Sequence, residues 1–213
     1  MLSFLKNSLK ICLPFILMSS MPLAAKHRAQ DPKENRQYQG LIQTCVQAKN
    51  TLDQLPKAQI TPSPANGLPA ILDFIPSLLS LKQQINAAHT EQVSPHGRNK
   101  QSQSKIDSLN EQLTQLQKEF QALLNQHIES LKMRLYLSLV TSEKSTEKST
   151  LIKQYAEYYT LQEAFLSLQA KEEELANLYG EFYKQDTHFI KTYLDKMHEI
   201  LEGKLWPKPN AND

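Results

Sequence analysis

Glycine is scarce in this chain, with 5 residues among 213. The sequence contains neither a glycine-rich phosphate-binding loop nor a G-x-S-x-G nucleophile motif, so two common signatures of enzymes are missing. No stretch alternates apolar and polar residues as a half-buried strand does. The shortage of glycine and the lack of strand patterns together predict an all-α fold.

Cysteine is also rare, and neither sign of charge dominates. One of the two cysteines, Cys12, lies in an apolar N-terminal stretch, which leaves Cys45 as the only cysteine after it. Residues 1–25 hold two of the 24 basic residues and none of the 22 acidic ones, so the remainder carries 22 of each. A neutral chain argues against broad nucleic-acid binding and against a strongly basic membrane-surface role.

The N-terminal stretch predicts a secretory signal peptide over residues 1–25. Lys6 and Lys10 give a positive start, residues 11–23 are apolar, and small residues precede the expected cleavage site. The alternative is an uncleaved anchor, but the apolar run is short for a membrane span, and prolines interrupt it. We therefore expect the protein to be exported and to be periplasmic or secreted.

Residues 26–56 predict an N-terminal helix. Asp31 is suited to the N-cap, Pro32 to the first helical position and Glu34 to a capping box. Pro56 would end the helix. Apolar residues alternate at spacings of three and four along this segment, which is typical of a helix with one buried face. They are Tyr38, Leu41, Cys45, Ala48, Leu52 and Leu55. We expect Cys45 to be a small buried side chain; the alternative is a reactive or cross-linking thiol.

Residues 57–103 predict a proline-rich connector, a short apolar helix kinked near Pro76, and a polar loop from His89 to Gln103. The apolar part, Ile71 to Leu81, is too short and too interrupted to span a bilayer. We expect it to dock on a helical bundle. The alternative is a segment that contacts a membrane interface or a partner protein. Its candidate contact residues are Leu78 and Leu79.

Residues 104–203 predict a long antiparallel helical hairpin that resembles a coiled coil. Its first helix runs to Val140, and its apolar seam shifts by one residue from Leu123 to Leu124. The repeat E-K-S-T-E-K-S-T, residues 143–150, has no apolar residue and is expected to form the turn. The second helix would run about 78 Å from Leu151 to Glu202 if unbroken. Residues 204–213 are expected to form a flexible tail.

Four residues of the second arm are candidate contacts with a partner protein. Glu172 and Asp186 interrupt its apolar seam, where a buried carboxylate is costly unless it is paired. They would set the helix register or contact a partner, or else reach water at a partly covered seam. Tyr158 and Tyr183 fall outside the seam, and tyrosine is enriched at interfaces. The alternative for both tyrosines is a broad core face.

The sequence predicts no catalytic, cofactor-binding or metal-binding residue. Asp195 and His198 form the spacing found in di-metal bundles, but no second pair accompanies them. We therefore expect a non-enzymatic helical-bundle protein that acts through protein–protein interaction in the cell envelope, for example as a subunit of a secretion or pilus assembly. The alternatives are a periplasmic holdase chaperone and a secreted protein that contacts a host or a membrane. Whether the seams pair within one chain or between chains is left open.

Overall fold

The computed structural model describes residues 32–57, 67–92, 100–180 and 183–207. These residues form helices and no strand, which confirms the predicted all-α class. The chain divides into two compact units, Met1–Arg36 and Gln37–Asp213, and the packing below belongs to the second. In order, the helices are α1 (Pro32–Gln54), α2 (Gly67–Leu72), α3 (Ile75–Gln92), α4 (Lys100–Lys144), α5 (Lys148–Ala170), α6 (Glu172–Tyr179) and α7 (Tyr183–Leu205).

Helix α1 has the buried face that its sequence predicts. It begins at Pro32 and ends just before Pro56, whereas the expected cap at Asp31 lies outside the described residues. The predicted seam is buried from Tyr38 to Leu52, and Leu55 is half-buried. The Lys105 ammonium lies 5.4 Å from the centre of the Tyr38 ring, so this face packs along the first half of α4.

Helices α2 and α3 replace the predicted kinked helix and shorten the predicted loop. The chain leaves the helical conformation at Asp73 and Phe74, shortly before Pro76. Helix α3 then continues to Gln92, and α4 already begins at Lys100, so the loop expected from His89 to Gln103 was too long at both ends. The buried face of α3 extends past the apolar stretch to Ile85 and Ala88, and the helix then continues into the polar residues that the sequence assigned to the loop.

Helix α4 is the longest of the described helices. Its 45 residues span about 68 Å. The predicted shift in its seam is confirmed, since Leu124 is fully buried and Leu123 only partly. The turn between α4 and α5 falls within the predicted repeat, at residues 145–147. The Lys204 ammonium donates to the carbonyl oxygens of Ser142, Glu143 and Ser145 at 2.6–2.8 Å, which ties α7 to this turn.

The second arm of the hairpin is not one helix, which corrects the sequence prediction. It breaks at Lys171 and again at Gly180, whose φ of 74° is a conformation that glycine adopts readily. Helix α5 lies antiparallel to α4, whereas α7 turns back. The ion pairs Lys132–Asp186 and Glu143–Lys196 show that α7 runs parallel to α4. The second half of α4 therefore forms a three-helix bundle with α5 and α7.

The break at Gly180 also moves the buried face of α7 by one residue. The apolar spacing of the sequence predicts a seam of Phe182, Asp186, Phe189, Tyr193, Lys196 and Ile200, of which Phe182 lies outside the described residues. The buried residues are instead Tyr183, Thr187, Ile190, Leu194, Met197 and Leu201. Both sets have helical spacing, and the buried face changes from one set to the other across the break between α6 and α7, where Gly180 has a positive φ. Among the described residues, no helix is both long and apolar enough to cross a membrane.

Candidate interaction surfaces

The structure places Tyr158 and Tyr183 in the core rather than outside the seam. Tyr183 is 2% exposed, and its hydroxyl donates to Asn125 Oδ1 at 3.3 Å. Burial, followed by the negative charge of Asp186, raises the pKa of Tyr183 to about 12. Tyr158 is also buried and lies against the His198 ring. Both tyrosines therefore belong to a broad core face, which was the alternative interpretation. Their role as partner contacts stays a prediction.

Asp186 has a partner within the chain. Its carboxylate accepts a hydrogen bond from the Lys132 ammonium at 2.9 Å, and both side chains are about one-fifth exposed. Lys132 also donates to Glu129 at 2.7 Å, and these two bonds raise the pKa of Lys132. Asp186 therefore meets the requirement that a largely buried carboxylate be paired. Glu172 is half-buried and is the first residue of α6. Its negative charge there interacts favourably with the dipole at the helix N-terminus.

The two leucines proposed as membrane or partner contacts belong to the packed segment of α3. Leu78 has no exposed surface, and Leu79 is half-buried against the core. Ile71 and Leu81, at the ends of the apolar stretch, are buried as well. Membrane or partner contact through Ile71 to Leu81 remains a prediction, and it would require these side chains to leave the core.

Cys45 borders a cleft between α1 and α4 with a volume of about 270 Å³. Its thiol is free and buried, and burial raises its pKa. A raised pKa favours the thiol over the nucleophilic thiolate. Lys49 spans the cleft to Glu119 at 2.7 Å. Burial alone would raise the pKa of Glu119, but hydrogen bonds from Lys49 and Gln115 hold it below its usual value. Around Cys45, α1 and α4 therefore form an apolar seam that the Lys49–Glu119 ion pair bridges.

Helix α4 carries a second apolar face on the side opposite the core. Met133, Tyr136 and Leu137 are each 51–55% exposed, and Val140 is half-buried. Their spacing, i, i+3, i+4 and i+7, places them on one side of the helix. We call these four residues the outer face of α4. The sequence signal is the stretch L-K-M-R-L-Y-L-S-L-V, in which apolar residues occupy both sides of a helix.

Aromatic side chains of α7 lie beside this outer face. The rings of Phe189 and Tyr193 stack with their centres 4.3 Å apart, and both are half-buried. The Lys132 ammonium lies 5.4 Å from the centre of the Phe189 ring. Because Tyr136 follows Lys132 by one helical turn, it lies on the same side of α4. The apolar surface therefore extends from α4 towards the neighbouring edge of α7.

Across the described ranges, no group of three or more histidine, cysteine, aspartate or glutamate side chains could hold a metal ion. His198, from the candidate metal spacing, instead lies with Nε2 3.2 Å from Glu202 Oε1. Comparison with protein-family models, curated proteins and solved structures finds no match for this chain.

Proposed function

We propose that this chain is an exported, non-enzymatic interaction protein of the cell envelope, and that it works as one subunit of a larger assembly. The outer face of α4 is the observation that carries the proposal. A helix on the surface of a globular protein normally has one apolar side, and α4 has two between Leu131 and Val140. The signal peptide expected at residues 1–25 supports export.

The geometry of the outer face suits one kind of occupant, an amphipathic helix of another protein. Its side chains follow the spacing that helix-in-groove and coiled-coil partners use. Tyr136 and Met133 are residue types enriched at protein interfaces. Glu129, which is 68% exposed and lies one helical turn before Met133, offers a negative charge at the rim, where it favours one orientation of the partner helix.

Replacing Leu137 by aspartate is expected to abolish partner binding while the fold survives. Leu137 is 54% exposed, so the change should alter the free energy of unfolding by no more than about 0.5 kcal/mol. A charge placed at the centre of an apolar contact would remain unpaired after binding, which weakens the complex strongly. The measurement is co-purification of tagged protein from the cells that produce it, with urea unfolding of the same variant.

Ser108→Asp is the matched control, because it adds the same charge at an exposed position of α4 that lies outside the outer face. The proposal requires that the same few proteins co-purify with the parent chain and with Ser108→Asp and are lost with Leu137→Asp. If Leu137→Asp retains them, the outer face is not the contact. If the parent chain brings down a broad mixture of unfolded proteins, the holdase alternative replaces the assembly subunit.

A further inference from the structure

A second surface with distinct chemistry lies where the end of α7 meets the start of α5. Five aromatic rings gather there, and we call them the aromatic cluster. They are Tyr155, Tyr158, Tyr159, His198 and Trp206. The ring centres of Tyr155 and Trp206 are 5.2 Å apart at an angle of 70°. Trp206 is 60% exposed, and its backbone N–H donates to the Glu202 carbonyl at 2.9 Å, which fixes it just beyond α7.

Carboxylates surround the exposed side of this cluster. Glu199, Glu202, Gly203 and Trp206 line an open cleft of about 440 Å³. Burial is the largest cause of the raised pKa of Tyr158, and the negative charges of Asp195 and Glu202 raise it further. Both carboxylates therefore interact electrostatically with this tyrosine of the cluster. No side chain crowds the cleft above Gly203, since an added Cβ there would have no atom within 4 Å.

Two nearby lysines on α7 direct their charges to the other side of the helix. Lys196 pairs with Glu143 at 2.8 Å, and Lys204 donates to the carbonyl oxygens of the turn after α4. Both contacts lie on the side of α7 that faces α4. Glu202 instead pairs with His198, whose ring packs against Tyr158 of α5. The cleft therefore combines exposed aromatic surface with negative charge.

That combination recognises an organic cation. A ring face attracts a cation, and a carboxylate pairs with it. Among protein side chains, the planar guanidinium group makes both contacts at once, because it stacks on an aromatic face while its N–H groups bond to a carboxylate. An ammonium group is more strongly hydrated and stacks less well. We propose that this cleft binds an arginine side chain presented by a partner protein.

This site is separate from the outer face of α4. It adds a charged contact to an apolar one, and its test needs only the purified chain and a synthetic peptide. Failure of the arginine cleft would leave the outer-face proposal standing, and retention of partner binding by Leu137→Asp, which rejects the outer face, would leave the cleft standing. The two proposals can therefore be tested and rejected independently.

Trp206 supplies the readout, because it is the only tryptophan in the chain. Its fluorescence is followed while a blocked tetra-arginine peptide is added at constant ionic strength, and the titration is repeated with blocked tetra-lysine. We expect a saturable change, with the arginine peptide binding about threefold or more tightly than the lysine peptide. Equal dissociation constants for the two peptides, or no saturable change, would overturn the proposal.

Removal of the two carboxylates provides the second arm of the test. The double variant Glu199→Gln, Glu202→Gln should weaken binding of the arginine peptide about fivefold, because two exposed ion pairs are lost. The control, Glu111→Gln, Glu173→Gln, removes the same charge from exposed positions on α4 and α6. All four side chains lie at the surface, so circular dichroism should show unchanged helix content. Equal weakening by both double variants would mean that net charge alone attracts the peptide, and the cleft would be rejected.

Discussion

Replacement of Phe120 by alanine is expected to lower the free energy of unfolding by about 3–5 kcal/mol. Phe120 has no exposed surface and lies where three helices meet. Its ring centre is 5.6 Å from that of Phe74, beside the start of α3, and 6.3 Å from that of Tyr179 on α6. Alanine would leave a cavity at this junction that helices fixed on several sides cannot close. Urea unfolding followed by circular dichroism measures the effect.

Leu166→Ala is the control for that experiment, since Leu166 is also a large apolar residue on a helix but is 52% exposed. It should change the free energy of unfolding by no more than about 0.5 kcal/mol. A loss below about 1 kcal/mol for Phe120→Ala, or equal losses for the two variants, would mean that α3, α4 and α6 do not pack around Phe120 as described.

Replacement of His127 by alanine is expected to cost about 2–3 kcal/mol of unfolding free energy. His127 is 4% exposed, and its Nε2 lies 2.9 Å from the Pro56 carbonyl oxygen, to which it donates as the neutral tautomer. The ring also fills the space beside Gly67, where an added Cβ would lie 2.9 Å from its Cε1 atom. His127 of α4 therefore contacts both Pro56, which follows α1, and Gly67, which begins α2.

The same histidine predicts a pH dependence. Burial lowers the pKa of His127 below its ordinary value of 6.5. Below that value the unfolded chain binds the proton before the folded chain does, so the free energy of unfolding falls as the pH drops from 7 towards 5. Glu119, whose pKa is held below 4.5, contributes only at lower pH. Burial and the unpaired Nδ1 atom explain why the folded state resists protonation.

His127→Gln separates titration from hydrogen bonding, because glutamine can keep a donor to the Pro56 carbonyl but has no proton to gain. Its unfolding free energy should change less between pH 7 and pH 5 than that of the parent chain, as measured by urea unfolding at both values. His89→Gln, at an exposed position of α3, should retain the parent's pH dependence. Identical pH dependence in His127→Gln and the parent would contradict a neutral buried imidazole.

Helical periodicity was enough to predict the cores of α1 and α4. The spacing from Tyr38 to Leu52 identifies the buried face of α1, and the shift at Leu124 follows from the positions of the apolar residues. The repeat at residues 143–150 contains no apolar side chain that a helix could bury, and the turn lies within it at residues 145–147. In each case local sequence and packing favour the same structure, so a pattern within one helix is sufficient.

The second arm could not be predicted in the same way. In α7, two faces have helical spacing, and the break at Gly180 selects the one that contains Tyr183 rather than Phe189. The packing of His127 depends on Pro56 and Gly67, which are distant in sequence. The outer face of α4 emerges only after the structure shows which apolar residues the core leaves exposed. Each of these features depends on contacts between helices.

Placing a photo-reactive residue at Tyr136 tests the central claim, that the outer face of α4 binds a specific partner. Tyr136 is 51% exposed on that face, and the protein would be irradiated in the cells that produce it. A second chain with the same residue at Ser108 controls for random encounters on α4. We expect one or two dominant cross-linked envelope proteins from position 136 that are absent from position 108. The same products from both positions, or a broad smear of unfolded clients, would contradict it.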